Sequence, residues 1–237
     1  SEPHGGSVIS APTCCSAQLA ARPDSEKSRP RAPSSGAAQK QNAATKAPMT
    51  ALANGNYVVA SPHWRSTLGG TGAVTWGDGD TGIAGFITAD NSLVASFNSR
   101  EVGDTGQPVV ALANGNYVVR SPNWTNNLAY SVGAVTWANG DTGITGTINA
   151  LNSLLGSRSR DMVGYQVIPL TNGNYVVSSP AWANGDIADA GAATFANGNT
   201  GIVGLVGPTN SLVGTRTNDA VGQNVTALTN GNYVIAS

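Results

Sequence analysis

Short apolar runs separated by turns rich in glycine and asparagine follow one another along most of the chain. The clearest run, Tyr-Val-Val, occupies residues 57–59, 117–119 and 175–177, and Tyr-Val-Ile occupies residues 233–235. Successive side chains of a β-strand point to opposite faces of the sheet, so three consecutive apolar residues make both faces apolar. Since no segment has a convincing helical spacing of apolar residues, the pattern predicts sheets that are covered on both faces by other sheets.

The apolar runs are part of an internal repeat. A block of the form Leu-x-Asn-Gly-Asn-Tyr-Val-Val/Ile begins at Leu52, Leu112, Leu170 and Leu228, so successive blocks are spaced by 60, 58 and 58 residues. Three further blocks keep step in the same order: Gly-Ala-Val-Thr-Trp (Gly-Ala-Ala-Thr-Phe in the third copy), Asn-Ser-Leu and Val-Gly. Four blocks that keep one order and one spacing indicate three full copies of a unit and the start of a fourth.

The spacing of the blocks divides the chain into repeats and each repeat into strands. The repeats are predicted at residues 49–107, 108–165, 166–223 and, for the partial copy, 224–237. Four strands are predicted in each full repeat, and in the second copy they cover residues 108–112, 116–121, 133–137 and 152–157. The Asn-Gly pair between the first two strands is typical of a type I′ hairpin, in which both turn residues have positive φ. Residues 139–143 are a turn by composition, and residues 144–150 receive no assignment.

The expected fold is all-β, with one four-stranded sheet per repeat. Sheets that are apolar on both faces pack well as the radial blades of a propeller, so a propeller-like array of about three blades and a partial fourth is the first expectation. Such an array would be an open arc with unpaired sheet edges. A β-solenoid is the alternative, although a unit of about 60 residues is long for one coil.

Residues 1–48 differ in composition from the repeats. They are rich in Ala, Ser, Pro, Arg and Gln and have no apolar period, so they are predicted to be a disordered low-complexity tail. Both cysteines, Cys14 and Cys15, fall in this tail. They are adjacent, which would strain a disulfide between them, and they lack the partner cluster of a metal site.

The charge of the repeats argues against several kinds of partner. Residues 51–237 contain six Arg, no Lys and ten acidic residues. This mildly acidic segment is unsuited to neutralising the phosphates of nucleic acid or to a polybasic contact with a membrane. No apolar run reaches about 18 residues, so no membrane span is predicted. Residues 1–30 lack the apolar segment of a secretory signal, and an export signal is therefore expected outside this chain.

No constellation of residues predicts catalysis, a cofactor or a metal site. The two histidines, His4 and His63, do not recur between repeats, so no Ser/His/Asp arrangement can be built from them. Asp78 and Asp80 are a carboxylate pair that could hold calcium or act as acid and base. The third copy has Asn199 at the position of Asp80, which favours a turn in which the side chain bonds its own backbone. The chain is therefore expected not to be an enzyme.

Three tryptophans are the candidate ligand-binding residues. Trp64, Trp124 and Trp182 each follow a Ser-Pro pair after the second strand, so they are predicted in loops at one end of the assembly. Exposed indole rings there could stack on sugars, whereas in the alternative interpretation they anchor the loop to the sheet edge. The aromatic residues that end the third strand, Trp76, Trp137 and Phe195, are expected in the core.

The order of the blocks resembles two repeat families. In the third copy Val163-Gly164, residues 167–170, residues 174–180 and residues 191–195 are similar to the FG-GAP repeat of integrin-α-type propellers. Blocks such as Leu-Ala-Asn-Gly-Asn-Tyr-Val-Val also resemble the tandem repeats of bacterial filamentous-haemagglutinin-like surface proteins. The resemblance covers residues 49–237.

The FG-GAP resemblance implies a calcium loop between the first two strands. The matching positions in the first copy are Asn54, Gly55 and Asn56, where neutral residues replace the carboxylates that calcium prefers. No metal site is therefore carried over to this chain.

The sequence thus predicts a non-catalytic structural or adhesive repeat module of an exported bacterial surface protein. Its location would be extracellular or on the cell surface, with glycans or other host and cell-surface molecules as partners and self-association through open sheet edges. The alternative is a carbohydrate-binding, lectin-like propeller with one weak site per repeat at the loop tryptophans, where repetition would supply avidity.

Overall fold

The computed structural model describes residues 48–66, 69, 71–95, 102–103, 106–126 and 128–237, and all regular structure within them is β-strand. The first repeat contains β1 (Met49–Ala51), β2 (Tyr57–Arg65), β3 (Thr71–Gly77) and β4 (Ser92–Val94). The second contains β5 (Val109–Ala111), β6 (Tyr117–Ser121), β7 (Ala134–Ala138), β8 (Gly146–Thr147) and β9 (Ser153–Leu155). The third contains β10 (Gln166–Pro169), β11 (Tyr175–Ser179), β12 (Ala192–Ala196), β13 (Gly204–Leu205) and β14 (Leu212–Val213). The partial fourth contains β15 (Asn224–Ala227) and β16 (Tyr233–Ala236).

The predicted all-β class is confirmed. The four strands predicted in the second repeat correspond to β5, β6, β7 and β9. The tail predicted at residues 1–48, with both cysteines and His4, lies outside the described residues apart from Pro48.

Each full repeat forms an antiparallel meander in which the four predicted strands pair in chain order. The unpredicted strands β8 and β13 leave their own repeat and pair in parallel with the last strand of the preceding sheet. In this way β8 joins β4, with Gly146 opposite Leu93, and β13 joins β9, with Gly204 opposite Leu154. The first two sheets therefore have five strands, one of which comes from the next repeat.

The hairpin between the first two strands is not the predicted type I′ turn. Gly55 has a φ of 92°, but Asn54 has no positive φ. The amide of Gly55 donates to the carbonyl of Leu52 at 3.2 Å, and the amide of Leu52 donates to the carbonyl of Asn56 at 2.8 Å. This is a four-residue turn closed by a left-handed glycine, the second common solution for a hairpin.

The Tyr-Val-Val segments of β6 and β11 are buried on both faces, as predicted, whereas one face of the segment in β2 is only partly buried. In β6, Tyr117 and Val119 belong to a core shared with the first repeat, whereas Val118 belongs to a core shared with the third. All three side chains are at most 1% exposed. Successive sheets therefore stack face to face, and each of the two inner sheets contributes to two cores.

Candidate functional site: the interface between repeats

The hairpin asparagines connect each repeat to the next one. The Oδ1 atom of Asn54 accepts the amide of Asn56 at 3.2 Å, a local bond that fixes the side chain and leaves its Nδ2 group pointing outward. That Nδ2 group donates to Oδ1 of Asp141 in the second repeat at 2.7 Å. The next interface has the same bond, from Asn114 Nδ2 to Asn199 Oδ1 at 2.9 Å.

The second hairpin asparagine uses both ends of its amide. The Oδ1 atom of Asn116 accepts the amide of Gly140 in its own repeat at 3.0 Å, and its Nδ2 group donates to the carbonyl of Gly198 in the next repeat at 2.9 Å. Asn56 makes the equivalent bonds to Gly79 and Gly140, both at 2.9 Å. These side chains thus form a hydrogen-bonded ladder that runs through three repeats.

A tryptophan from each of the first two repeats completes the ladder. The indole N–H of Trp76 donates to the carbonyl of Gly140 at 2.8 Å, and that of Trp137 donates to the carbonyl of Gly198 at 2.8 Å. The Gly198 carbonyl therefore accepts bonds from Trp137, Asn114 and Asn116 of the preceding repeat. A net contribution of about 1 kcal/mol per bond makes the ladder a substantial part of the coupling between repeats.

Glycine is required where the tryptophan packs on the next repeat. Gly143 and Gly201 have φ values of 72° and 70°. A Cβ atom on them would lie 2.6 Å from Cβ of Trp76 and 2.5 Å from Cβ of Trp137. Gly82 occupies the same position in the first repeat, but the nearest atom to its Cβ would be the Tyr57 hydroxyl at 3.8 Å.

The expectation of a simple core role for the third-strand aromatics is wrong in part. Trp76 and Trp137 are only partly buried, and they join one repeat to the next through their indole N–H groups. Phe195 is exposed and stacks on Tyr233 with 6.1 Å between ring centroids. It cannot donate the hydrogen bond that the two tryptophans make.

Sugar stacking requires exposed ring faces, but the three loop tryptophans are buried or partly buried. Trp124 and Trp182 are buried in the two inter-repeat cores, while Trp64 is partly buried in β2. The indole N–H groups of Trp124 and Trp182 have no hydrogen-bond partner among the described residues. Burial of their ring faces favours the interpretation of a loop anchor, and sugar binding at the three residues stays a prediction.

A buried carboxylate also crosses the second interface, and the sequence interpretation missed it. Asp161 is 1% exposed and accepts the amides of Ser157 and Arg158 at 2.8 Å each. Its other oxygen accepts the amide of Ala183 in the third repeat at 3.2 Å. A signal was present, because Gly-Ser/Thr-Arg-x-x-Asp recurs at residues 156–161 and 214–219.

These contacts recur at the period of the sequence blocks, and comparison with known families matches the same period. A family described as a repeat of unknown function (DUF5650) matches residues 51–104, 111–165 and 169–223. The chain belongs to the DUF5650 family. This confirms the tandem repeat but does not connect the chain with filamentous-haemagglutinin-like or FG-GAP proteins. A search of the curated proteins found no match.

Two further acidic residues of the DUF5650 repeats bond to neighbouring groups. Asp78 accepts the amides of Thr81 and Asp80 at 2.8 and 2.9 Å, which is the predicted kind of turn, and these bonds lower its pKa. Asp186 is exposed and forms an ion pair with Arg158 at 3.1 Å. Within the described ranges no three His, Cys, Asp or Glu side chains are grouped as a metal site, and none of the described segments is a helix that could cross a membrane.

Proposed function

We propose that this DUF5650 array is a non-catalytic structural module whose repeats stack in one fixed register. The observation that carries the proposal is the Asn–Trp–Gly ladder, which occurs with the same bonds at the first and second interfaces. Hydrogen bonds and steric contacts of this kind fix which faces meet, whereas apolar packing alone tolerates sliding. A rigid, periodic array of low charge is suited to a structural or adhesive part of an exported bacterial surface protein.

We further propose a propeller-like arrangement of the sheets. Support comes from the first strands, since β1 contacts β5, β5 contacts β10 and β10 contacts β15. In a propeller the first strands of successive blades lie around a common axis. A solenoid, the alternative, would keep the sheets evenly spaced along their whole width.

Self-association of this chain is part of the proposal, because the exposed face that carries Leu212 and Val234 repeats the chemistry of the internal ones. Val118 and Val176 are fully buried by the following repeat, whereas Val234 at the same position is 53% exposed. Leu154 is likewise fully buried, and its counterpart Leu212 is 58% exposed. The internal interfaces show what covers this face. We therefore propose that it binds the first repeat of a second copy, whose Tyr57 and Val59 are only partly buried.

Light scattering after size-exclusion chromatography of the full chain tests this association. The proposal predicts an average mass that rises with concentration, and Leu212→Glu should abolish the rise by placing a charge on the apolar face. The control is Leu151→Glu at an exposed turn residue, which should leave the rise unchanged. A constant monomer mass at all concentrations, or equal association by Leu212→Glu, would contradict it.

A further inference from the structure

A shallow cavity, open to solvent, lies at the loop end of the third sheet. Its volume is about 280 Å³. One lining residue, Tyr165, ends the second repeat, and the others belong to turns of the third repeat: Pro180, Ala181, Asp189, Ala220 and Gln223. This volume is close to the lower end of ligand pockets in proteins, about 300 Å³, so it suits a molecule of one small ring.

The walls of the cavity are fixed by backbone and side-chain bonds. The half-buried guanidinium of Arg120 donates to the carbonyls of Gly164, at 3.2 Å, and of Tyr165. On the other side, the Ser178 hydroxyl donates to the carbonyl of Gly222 at 2.7 Å. The segments that carry Tyr165 and Gln223 are therefore both anchored to second strands, which positions their side chains before any ligand arrives.

Two of the lining residues have strained backbone. Asp189 and Ala220 have φ values of 51° and 45°, although neither is glycine. They are held together by the bond from the Ala220 amide to the Asp189 carbonyl at 3.0 Å. Left-handed conformations of such residues cost about 1 kcal/mol or more each. Ser131 and Met162 of the second repeat have the same conformation, so the repeat fold holds this backbone in place.

The side chains around the cavity combine an apolar surface with free polar groups. The Tyr165 ring is 49% exposed and lies beside Pro180, Ala181 and Ala220. Within the described part of the chain, the Asp189 carboxylate and the Gln223 amide make neither a hydrogen bond nor an ion pair. An aromatic face suits the C–H surface of a sugar ring, while a carboxylate accepts and an amide both donates and accepts hydrogen bonds with hydroxyl groups.

We propose that this cavity binds one monosaccharide unit of a glycan. Tyr165 stacks on the ring, and Asp189 and Gln223 bind its hydroxyl groups. The proposal is independent of the structural role of the repeats. It also differs from sugar binding at the loop tryptophans, because it uses none of their rings and does not recur in the second repeat.

Two residues of the second repeat explain why it lacks the site. There Met162 occupies the position of Ala220, and Ser131 occupies the position of Asp189. Met162 has a φ of 47°, almost equal to the 45° of Ala220, so both residues hold the same backbone. The longer methionine side chain would fill the space that Ala220 leaves open. Ala220→Met and Asp189→Ser thus convert the third repeat to residues that the fold already accepts.

Titration of the full chain with glucose, galactose, mannose and N-acetylglucosamine, followed by protein NMR, tests the site. At least one sugar should shift the resonances of Tyr165 and Gln223 with a millimolar dissociation constant, about −4 kcal/mol at 1 mM. Ala220→Met should weaken binding at least about tenfold, since it fills the cavity, and Asp189→Ser should weaken it several-fold. Leu151→Ala, at an exposed turn residue that does not line the cavity, is the control and should bind as the parent chain does.

Unchanged thermal melting of each variant establishes that binding and not folding is measured. If Ala220→Met melts early, Gln223→Ala replaces it, because that side chain is exposed and its loss should weaken binding several-fold. The proposal is overturned if no sugar of the panel binds the folded chain, or if the cavity variants bind as well as the parent chain. Shifts of the same resonances by choline but by no sugar would also overturn it, because they would indicate a cation site.

Discussion

Gly201 and Gly82 occupy the same position of the repeat but have different neighbours. Gly201 lies under Trp137 of the preceding repeat, whereas nothing comes closer than 3.8 Å to the position of a Cβ atom on Gly82. Their φ values, 70° and 73°, are almost equal. The backbone cost of an alanine should therefore be the same at both sites, and any difference measures the contact between repeats.

Gly201→Ala is predicted to lower the free energy of unfolding by about 2 to 5 kcal/mol, from backbone strain and from displacement of Trp137. Gly82→Ala should cost only the strain, about 1 to 2 kcal/mol. Urea denaturation of both variants measures the difference. Equal losses would show that Trp137 does not constrain the glycine.

The indole N–H groups of Trp76 and Trp137 also connect neighbouring repeats. Trp137→Phe is predicted to cost about 1 kcal/mol, because it removes the indole donor to Gly198. Trp76→Phe removes the equivalent donor to Gly140 at the first interface and should cost about as much. Urea midpoints give both values, and an unchanged midpoint in both variants would be the contrary result.

At the scale of the strand, the local sequence pattern was sufficient to predict the strands that bury their own apolar run. The four strands of the meander follow from Tyr-Val-Val and its companion blocks. The strands β8 and β13 were not predicted, because each has two residues, one of them glycine, and pairs only with the preceding repeat. No local spacing encodes a partner of that kind.

The candidate site shows the same division between local and distant information. The Asn-Gly signal located the hairpin, but its type and the outward amide bonds depend on Gly140 and Gly198 of the following repeats. The burial of the loop tryptophans could not be predicted either, because the same Ser-Pro-x-Trp pattern fits an exposed ring and a buried one. Asp189 and Ala220 meet through backbone geometry that composition does not reveal.

The second strands also predict how stability depends on pH. Burial raises the pKa of Tyr117 and Tyr175 in the folded chain. Below the unfolded value of about 10 both phenols are neutral in both states, so their contribution is fully present. Above it the unfolded chain ionises first, and stability should fall as pH rises, by about 1.4 kcal/mol per residue and pH unit.

Urea midpoints between pH 8 and pH 11 test this dependence. The double variant Tyr117→Phe, Tyr175→Phe should have a flatter profile than the parent chain, because it has fewer buried groups to ionise. Tyr130→Phe removes an exposed phenol and should leave the slope unchanged. An identical slope in the double variant would contradict the assignment.

For the array of repeats, we expect each repeat to be stable only as part of a stack. The core of each inner sheet is divided between two neighbours, so the energy of an interface belongs to both repeats that form it. A substitution that disrupts one interface should therefore destabilise the sheet on each side. A chain of independent domains would confine it to one repeat.

Amide hydrogen exchange of the Gly201→Ala variant, read by mass spectrometry, tests this claim most directly. The substitution lies in the third repeat, but the shared interface predicts faster exchange in both β7 of the second repeat and β12 of the third. Protection of β2 and β3 in the first repeat should change least. Faster exchange confined to the third repeat would contradict the account, because it would show that neighbouring sheets do not stabilise one another.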